Sequence, residues 1–342
     1  MGNRVTIIAE AGVNHNGSLE KAKELVKLAS NAGADYVKFQ TFRADKLVSK
    51  VAVTASYQNI NLNQEVGTQI EMLKKLEMPM EWHFVLKEFA IENGIKFLST
   101  GFDEESIDFL DNLGIDFFKI PSGELTNKPY LKHIASKNKP IVISTGMANL
   151  NEINDAIAVL KMNGIRDTDI TVLHCNTEYP TPMSHVNLRA MLHIEKELGL
   201  KVGYSDHTLG IEVPIAAVAL GATVIEKHFT LDKSLEGPDH KASLDFNELN
   251  DMIKAIRNIE LALIGSGIKE PSISEFKNIN IVRKSIHLNK PVKAGHIIKE
   301  DDLIMKRPGD GISPMRIENV IGQMINKDLM NEHKLDFKDF AN

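Results

Sequence analysis

The chain has 342 residues, 43% of them hydrophobic and 25% charged. Those are the proportions of an ordinary soluble globular protein with room for one large domain and a small one. A net charge of −6 argues against nucleic acid as a partner, the lone Cys175 forbids an intrachain disulfide and suits a reducing cytoplasm, and no apolar run is long enough to span a membrane.

The first ten residues read as a strand rather than a signal peptide. Within them Thr-Ile-Ile-Ala at 6–9 suits a buried parallel strand. Ser18 is placed to cap a helix over 19–31, with Ala22, Leu25, Val26 and Ala29 at helical spacing and Gly33 as its stop. A second strand is predicted over 36–40. The polar stretch 41–67 has little periodicity, and loops of that length are usually functional or mobile. Helices are predicted over 68–76 and 81–92, on either side of Pro79. Strands over 96–99, 117–120, 140–144, 170–174, 201–204 and 223–227 then alternate with helices over 104–113, 128–137, 150–162, 188–197, 213–220 and 246–264.

Eight strand–helix units in about 265 residues have the rhythm of a (β/α)8 TIM barrel. A doubly wound open sheet would carry a Gly-rich phosphate turn after its first strand, and residues 10–17, Glu-Ala-Gly-Val-Asn-His-Asn-Gly, lack that spacing. The expected division is a barrel over 1–265, a Gly/Ser/Pro-rich linker over 266–280 and a small β-rich unit over 281–342. That unit carries strand-like pieces at 283–288, 297–298 and 303–307 and a helix near 315–320. It is small for an independent core, so it is expected to dock on its own barrel or a partner's.

Chemistry in such a barrel sits at the C-terminal ends of the strands. There the sequence places Glu10, Lys38, Gln40, Ser99, Thr100, Lys119, Ser122, Ser144, Thr145, His174, Ser205, Asp206, His207, Glu226 and His228. Period two points Lys38 with Gln40, and Glu226 with His228, to the same side. His207 and His228, at equivalent strand ends with acids nearby, are candidate ligands of a divalent metal. Two readings are open for the inward lysines Lys38 and Lys119: pairing with a barrel carboxylate such as Glu10 or Glu124, or holding an anionic substrate. For His15 a structural role and ligand contact are equally open. Cys175 reads as a buried free cysteine rather than a nucleophile, and Asp239, in Gly-Pro-Asp-His at 237–240, is within reach of the site.

Seven strings occur in order: IIAEAGVNHNG (7–17), VKFQT (37–41), FKIPSGE (118–124), STGM (144–147), HCNTEYPTP (174–182), GYSDHT (203–208) and EKHFT…GPD (226–239). With them the chain resembles bacterial N-acetylneuraminate (sialic acid) synthases over essentially its whole length, and the tail resembles their antifreeze-like (SAF) domain. Synthases for legionaminic and pseudaminic acids share most of these motifs. The chain departs from many relatives at Gly101, where they carry proline, a change expected to loosen the loop around Thr100 and Phe102.

The resemblance implies condensation of phosphoenolpyruvate with an N-acetylated amino sugar: N-acetylmannosamine first, 2,4-diacetamido-2,4,6-trideoxymannose as the alternative. It implies a metal on His207 and His228, with Mn²⁺ preferred and Mg²⁺ or Co²⁺ possible. It implies catalytic roles for Glu10, Lys38, Lys119 and Glu124, and substrate contacts from Gln40, Thr100, Ser122, Ser144, Tyr179, Ser205, Asp239 and Arg307. Arg307 would reach the sugar from the neighbouring subunit of a domain-swapped homodimer. A Schiff-base aldolase using Lys38, Lys119 or Lys227 is the competing enzyme; a carbohydrate- or ice-binding protein is the non-enzymatic one.

Overall fold

The computed structural model describes residues 4–49, 52 and 68–341, so most of the expected loop over 41–67 lies outside the described residues. The chain divides into two compact units, Met1–Ile264 and Gly265–Asn342.

The first unit alternates strand and helix: β1 (Thr6–Gly12), α1 (Leu19–Ala32), β2 (Tyr36–Thr41), α2 (Ala44–Leu47), α3 (Gln69–Leu76), α4 (Met80–Glu92), β3 (Lys96–Gly101) and α5 (Glu104–Leu113). It continues with β4 (Phe118–Ile120), α6 (Lys128–Ala135), β5 (Ile141–Ser144), α7 (Leu150–Met162), β6 (Ile170–Cys175), α8 (Ala190–Leu198), β7 (Lys201–Asp206), α9 (Glu212–Ala219), β8 (Val224–His228) and α10 (Phe246–Ala262). The strands are hydrogen-bonded in parallel in the order β3-β2-β1-β8-β7-β6-β5-β4, and β3 packs against β4 to bring the cylinder close to closure. This is the expected TIM barrel.

Local chemistry sets the helix ends. Ser18 Oγ accepts from Lys21 N and Gly33 closes α1 in the left-handed region at φ 86°. Asn149 with Glu152, and Asp245 with Glu248, form capping boxes on α7 and α10. Six strands extend one to three residues beyond their predicted C-terminal ends, because the parallel ladders carry on through polar residues. Gly101 belongs to the β3 ladder opposite Thr41, and its carbonyl accepts the Tyr130 hydroxyl at 2.6 Å. No described helix is long and apolar enough to cross a membrane.

In the second unit a helix, α11 (Ile273–Val282), starts at a Ser272–Glu275 capping box within the stretch expected as a linker. Two short antiparallel strands follow, β9 (Ser285–Leu288) and β10 (Leu303–Lys306). The expected helix near 315–320 is a 3₁₀ turn, Pro314–Asn319, kinked at Arg316. Its core includes Ile286, Leu288, Ile298, Val320 and Leu335.

A pattern in this unit went unread in the sequence. Residues 290–302 and 327–339 both follow Lys-x-(Val/Leu)-x₃-His-x-(Ile/Leu)-x₃-Asp, and the two copies are related by a local two-fold. Val292 and Leu329 exchange reciprocal N–H···O bonds at 2.9 Å. In one copy the buried Asp302 takes His296 Nε2 and Lys290, each at 2.7 Å. In the other the buried Asp339 takes His333 Nε2 and Lys327, each at 2.8 Å.

Candidate active site

The β-ladder registers gather the polar strand ends of the first unit. Glu10 on β1 stands level with Lys38 on β2 and with His228 on β8. A cavity of about 650 Å³ opens there. Fourteen of the residues expected at the site line it: Glu10, Lys38, Gln40, Thr100, Lys119, Ser122, Glu124, Ser144, Tyr179, Ser205, His207, Glu226, His228 and Asp239.

Charge pairing organises the cavity floor. Lys38 Nζ lies 2.7 Å from Glu10 Oε2 and 3.6 Å from Glu226 Oε2, and donates to Thr100 Oγ1 at 2.9 Å. Lys119 Nζ lies 3.0 Å from Glu226 Oε1, the same oxygen to which Ser205 Oγ donates at 3.1 Å. Gln40 Nε2 donates to Glu10 Oε1 at 3.3 Å. Both lysines and both glutamates are buried. The lysines are thus paired with carboxylates, as one of the two open readings held. The partner of Lys119 is Glu226, not Glu124, which instead accepts from Asn127 Nδ2 at 2.6 Å.

The two floor carboxyls are driven apart electrostatically. Burial raises Glu10 above the ordinary carboxylate range, only partly offset by Lys38. Burial would also raise Glu226, but Lys119 and Lys38 together outweigh it and hold that carboxyl well below the range. Glu124 is raised by burial. Asp239 is pushed up to about 7 by burial and by the nearby Glu10.

Beside the floor the rings of His207 and His228 face each other with centroids 5.5 Å apart. Tyr179 stacks on His207 at 4.0 Å and meets His228 edge-on at 5.6 Å. His207 donates its Nδ1–H to the Asn176 carbonyl; a carbonyl can only accept, so Nε2 keeps its lone pair. His228 Nδ1 is buried without a hydrogen-bond partner, 3.8 Å from Asp239 Oδ2. Burial lowers His207 to about 4 and His228 well below its usual value, so both imidazoles are neutral at physiological pH. Among the described residues no group of three or more His, Cys, Asp or Glu side chains is arranged to hold a metal ion. The two neutral imidazoles and the orphan nitrogen fit a loosely held divalent cation whose other positions go to water and ligand oxygens.

Two of the hydroxyls expected to contact substrate also line the cavity. Ser144 Oγ is buried and unpartnered. Ser122 Oγ accepts from Gly146 N at 2.9 Å and lies 3.2 Å from the Cys175 thiol. Apolar side chains supply much of the remaining wall, among them Val13, Phe42, Met72, Leu73 and Phe102, with Gln69, Thr177 and Glu178 as polar members.

Several strand-end residues do not take part. Lys227 pairs with Asp206 and donates to the Thr208 carbonyl, off the cavity, which removes it as a Schiff-base candidate. His174 Nε2 bonds the Val186 carbonyl, Thr145 donates to the Leu173 carbonyl, and Ser99 bonds Thr41. His15 packs against Phe39 and Trp82, each at 6.3 Å between centroids, and does not line the cavity. Arg307 belongs to the second unit, where its Nε donates to the Val282 carbonyl at 2.9 Å. Sequence reasoning put Glu226 on the inward face as an acid near the histidine pair, but not as the partner of the two lysines.

Two family descriptions match the chain: the NeuB family over residues 25–269 and the SAF domain over residues 283–331. An N,N'-diacetyllegionaminic acid synthase of Campylobacter jejuni is 54% identical over 325 residues, covering 95% of this chain and 96% of that protein. One from Legionella pneumophila is 53% identical over 326 residues, covering 94% and 91%. The crystal structure of an N-acetylneuraminic acid (sialic acid) synthetase from Leptospira borgpetersenii, in complex with citrate, superposes with a TM-score of 0.71 at 31% identity, covering 81% of this chain and 90% of that one.

Proposed function

Because this chain belongs to the NeuB family, we propose that it condenses phosphoenolpyruvate with 2,4-diacetamido-2,4,6-trideoxymannose and water, giving N,N'-diacetyllegionaminic acid and phosphate. The convergence of Lys38 and Lys119 on Glu226, beside the His207–His228 pair, carries the condensing reaction. The choice of sugar rests on the 54% and 53% identities to legionaminic acid synthases, against 31% to the sialic acid synthetase. N-acetylneuraminate synthesis from N-acetylmannosamine, the first expectation from the sequence, becomes the second reading.

Lys38 and Lys119 bind the phosphate and carboxylate of phosphoenolpyruvate, helped by the hydroxyls of Thr100, Ser122, Ser144 and Ser205. Glu10 and Glu226 pair with these ammonium groups and orient them until the anion arrives. His207 and His228 would hold a divalent cation, Mn²⁺ with Mg²⁺ or Co²⁺ as substitutes, which would supply Lewis acidity to the sugar's carbonyl. C3 of phosphoenolpyruvate bonds to the aldehyde carbon as the C=O π pair moves to its oxygen, which takes up a proton and becomes the new hydroxyl, and water adds to the cationic C2. Glu10, with its raised affinity for a proton, takes the proton from that water. The tetrahedral intermediate then loses phosphate. Gln40, Tyr179 and Asp239 hold sugar polar groups with Glu124 at the rim, and Arg307 of a neighbouring subunit contacts an N-acetyl group in a domain-swapped homodimer. The reaction takes place in the cytoplasm.

The test is phosphate release with phosphoenolpyruvate and Mn²⁺. Turnover of the diacetamido sugar at a kcat/KM at least tenfold above that of N-acetylmannosamine is expected. The reverse preference would make the second reading correct, and turnover of neither sugar would overturn both. A chelator is expected to abolish the activity and added Mn²⁺ to restore it. Borohydride trapping of a sugar or pyruvoyl adduct on lysine would favour the aldolase.

A further inference from the structure

Asp239 reaches the cavity from the connection between β8 and α10, which contains no regular element beyond the 3₁₀ turn His240–Ala242. Such a segment holds a carboxyl in place only if other groups offset the entropy of ordering it. Here the turn after β1 does so. Asn16 Nδ2 donates to the Glu236 carbonyl at 2.9 Å, which fixes the amide and turns its Oδ1 towards His240 Nε2 at 3.2 Å. Amide oxygens accept only, so Nε2 carries the proton, and the Thr230 hydroxyl donates to His240 Nδ1 at 2.7 Å. Both ring nitrogens of this fully buried histidine are thereby used.

The backbone of the segment rests on the ring. A Cβ on Gly237 would lie 2.6 Å from His240 Cδ2 and 3.3 Å from Asn16 Oδ1. A second tie holds the other side: Asn14 Nδ2 donates to the Phe229 carbonyl at 2.8 Å and to Ser243 Oγ at 3.0 Å, and Ser243 Oγ donates to the carbonyl of Asp239 itself at 2.8 Å.

We propose that His240 is a positioning residue for the sugar half of the reaction, acting with Asn16 to hold Asp239 in the cavity. It touches no reacting atom; it works through the placement of its neighbour. This rests on the reading of Asp239 as a sugar contact. His240→Ala is expected to raise KM for the sugar at least tenfold while KM for phosphoenolpyruvate stays within twofold. His240→Gln keeps a donor for Asn16 and is expected to recover most of that loss. Asn16→Gly, tolerated by the backbone at φ 48°, is expected to reproduce the effect, and the double variant to add little to either single one.

Amide exchange at Ala242 and Ser243, whose N–H groups bond the Asp239 and His240 carbonyls at 3.1 and 3.2 Å, is expected to speed up at least tenfold in both variants. An inactive wild-type enzyme would count against the substrate reading alone, and the exchange experiment would still decide the clamp. Unchanged exchange would overturn the proposal, as would an active enzyme in which both KM values are unmoved or rise together.

Discussion

At the cavity floor one carboxylate serves two ammonium groups, and among the described residues Lys119 has no other carboxylate within ion-pair distance. Replacing Glu226 by Gln leaves a buried cation without its counter-charge. Loss of one partner of a buried pair costs about 3–5 kcal/mol, so urea unfolding of Glu226→Gln is expected to show a drop of that order. A drop below about 1 kcal/mol, the scale of an exposed pair, would mean that water reaches the floor. Glu226 has its pKa depressed, so its stabilisation is present above the ordinary glutamate pKa of 4.5 and is lost as pH falls through the acid range. The inward direction of Glu226 was legible from period two along β8. Its partnership with Lys119 was not. β4 and β8 stand on opposite sides of the cylinder with three strands between them in the sheet order, so that contact exists only once the barrel is nearly closed.

Among the elements, β7 depends on a residue with no side chain. A Cβ on Gly203 would stand 2.4 Å from the Val224 carbonyl oxygen and 2.6 Å from Leu173 Cδ2. Overpacking of this kind costs about 1–3 kcal/mol, so Gly203→Ala is expected to lower the thermal midpoint of the barrel by several degrees in calorimetry. In the second unit the duplicated Asp302 and Asp339 are both held below the ordinary aspartate value of 3.8 by their lysine and histidine partners, against the effect of burial. Carboxyls depressed on folding stabilise above that value and stop doing so as they are protonated. Exchange of the Val292 and Leu329 amides is therefore expected to accelerate below about pH 4 beyond its intrinsic pH dependence. A flat profile there would remove the two aspartates from the unit's stability. The longer barrel helices were readable from their buried stripes, sharpened on α1, α5, α7 and α10 by side-chain caps. The helix α11 has a cap but no buried residue, so composition read it as a linker and only Ser272 with Glu275 pointed the other way.

For the whole molecule, the proposed exchange of tails between subunits makes a counting prediction. His207→Ala disables a barrel, and Arg307→Ala disables a tail that serves another barrel. Refolded together in equal amounts, the two inactive variants are expected to regain about a quarter of wild-type activity, because half the dimers are mixed and each holds one intact pairing. No recovery, in a preparation that light scattering shows to be dimeric, would mean that each tail serves its own barrel. The alternation of strand and helix made the large unit legible as a barrel; nothing in that rhythm indicates which barrel a tail serves, since local pattern is the same in either arrangement. Lastly, the only sulfhydryl in the chain sits 3.2 Å from Ser122 in the cavity wall. An alkylating reagent therefore has a single address, and intact-mass spectrometry can follow its slow arrival there. Saturating phosphoenolpyruvate should delay the adduct, giving a gauge of occupancy that works even in variants with no turnover.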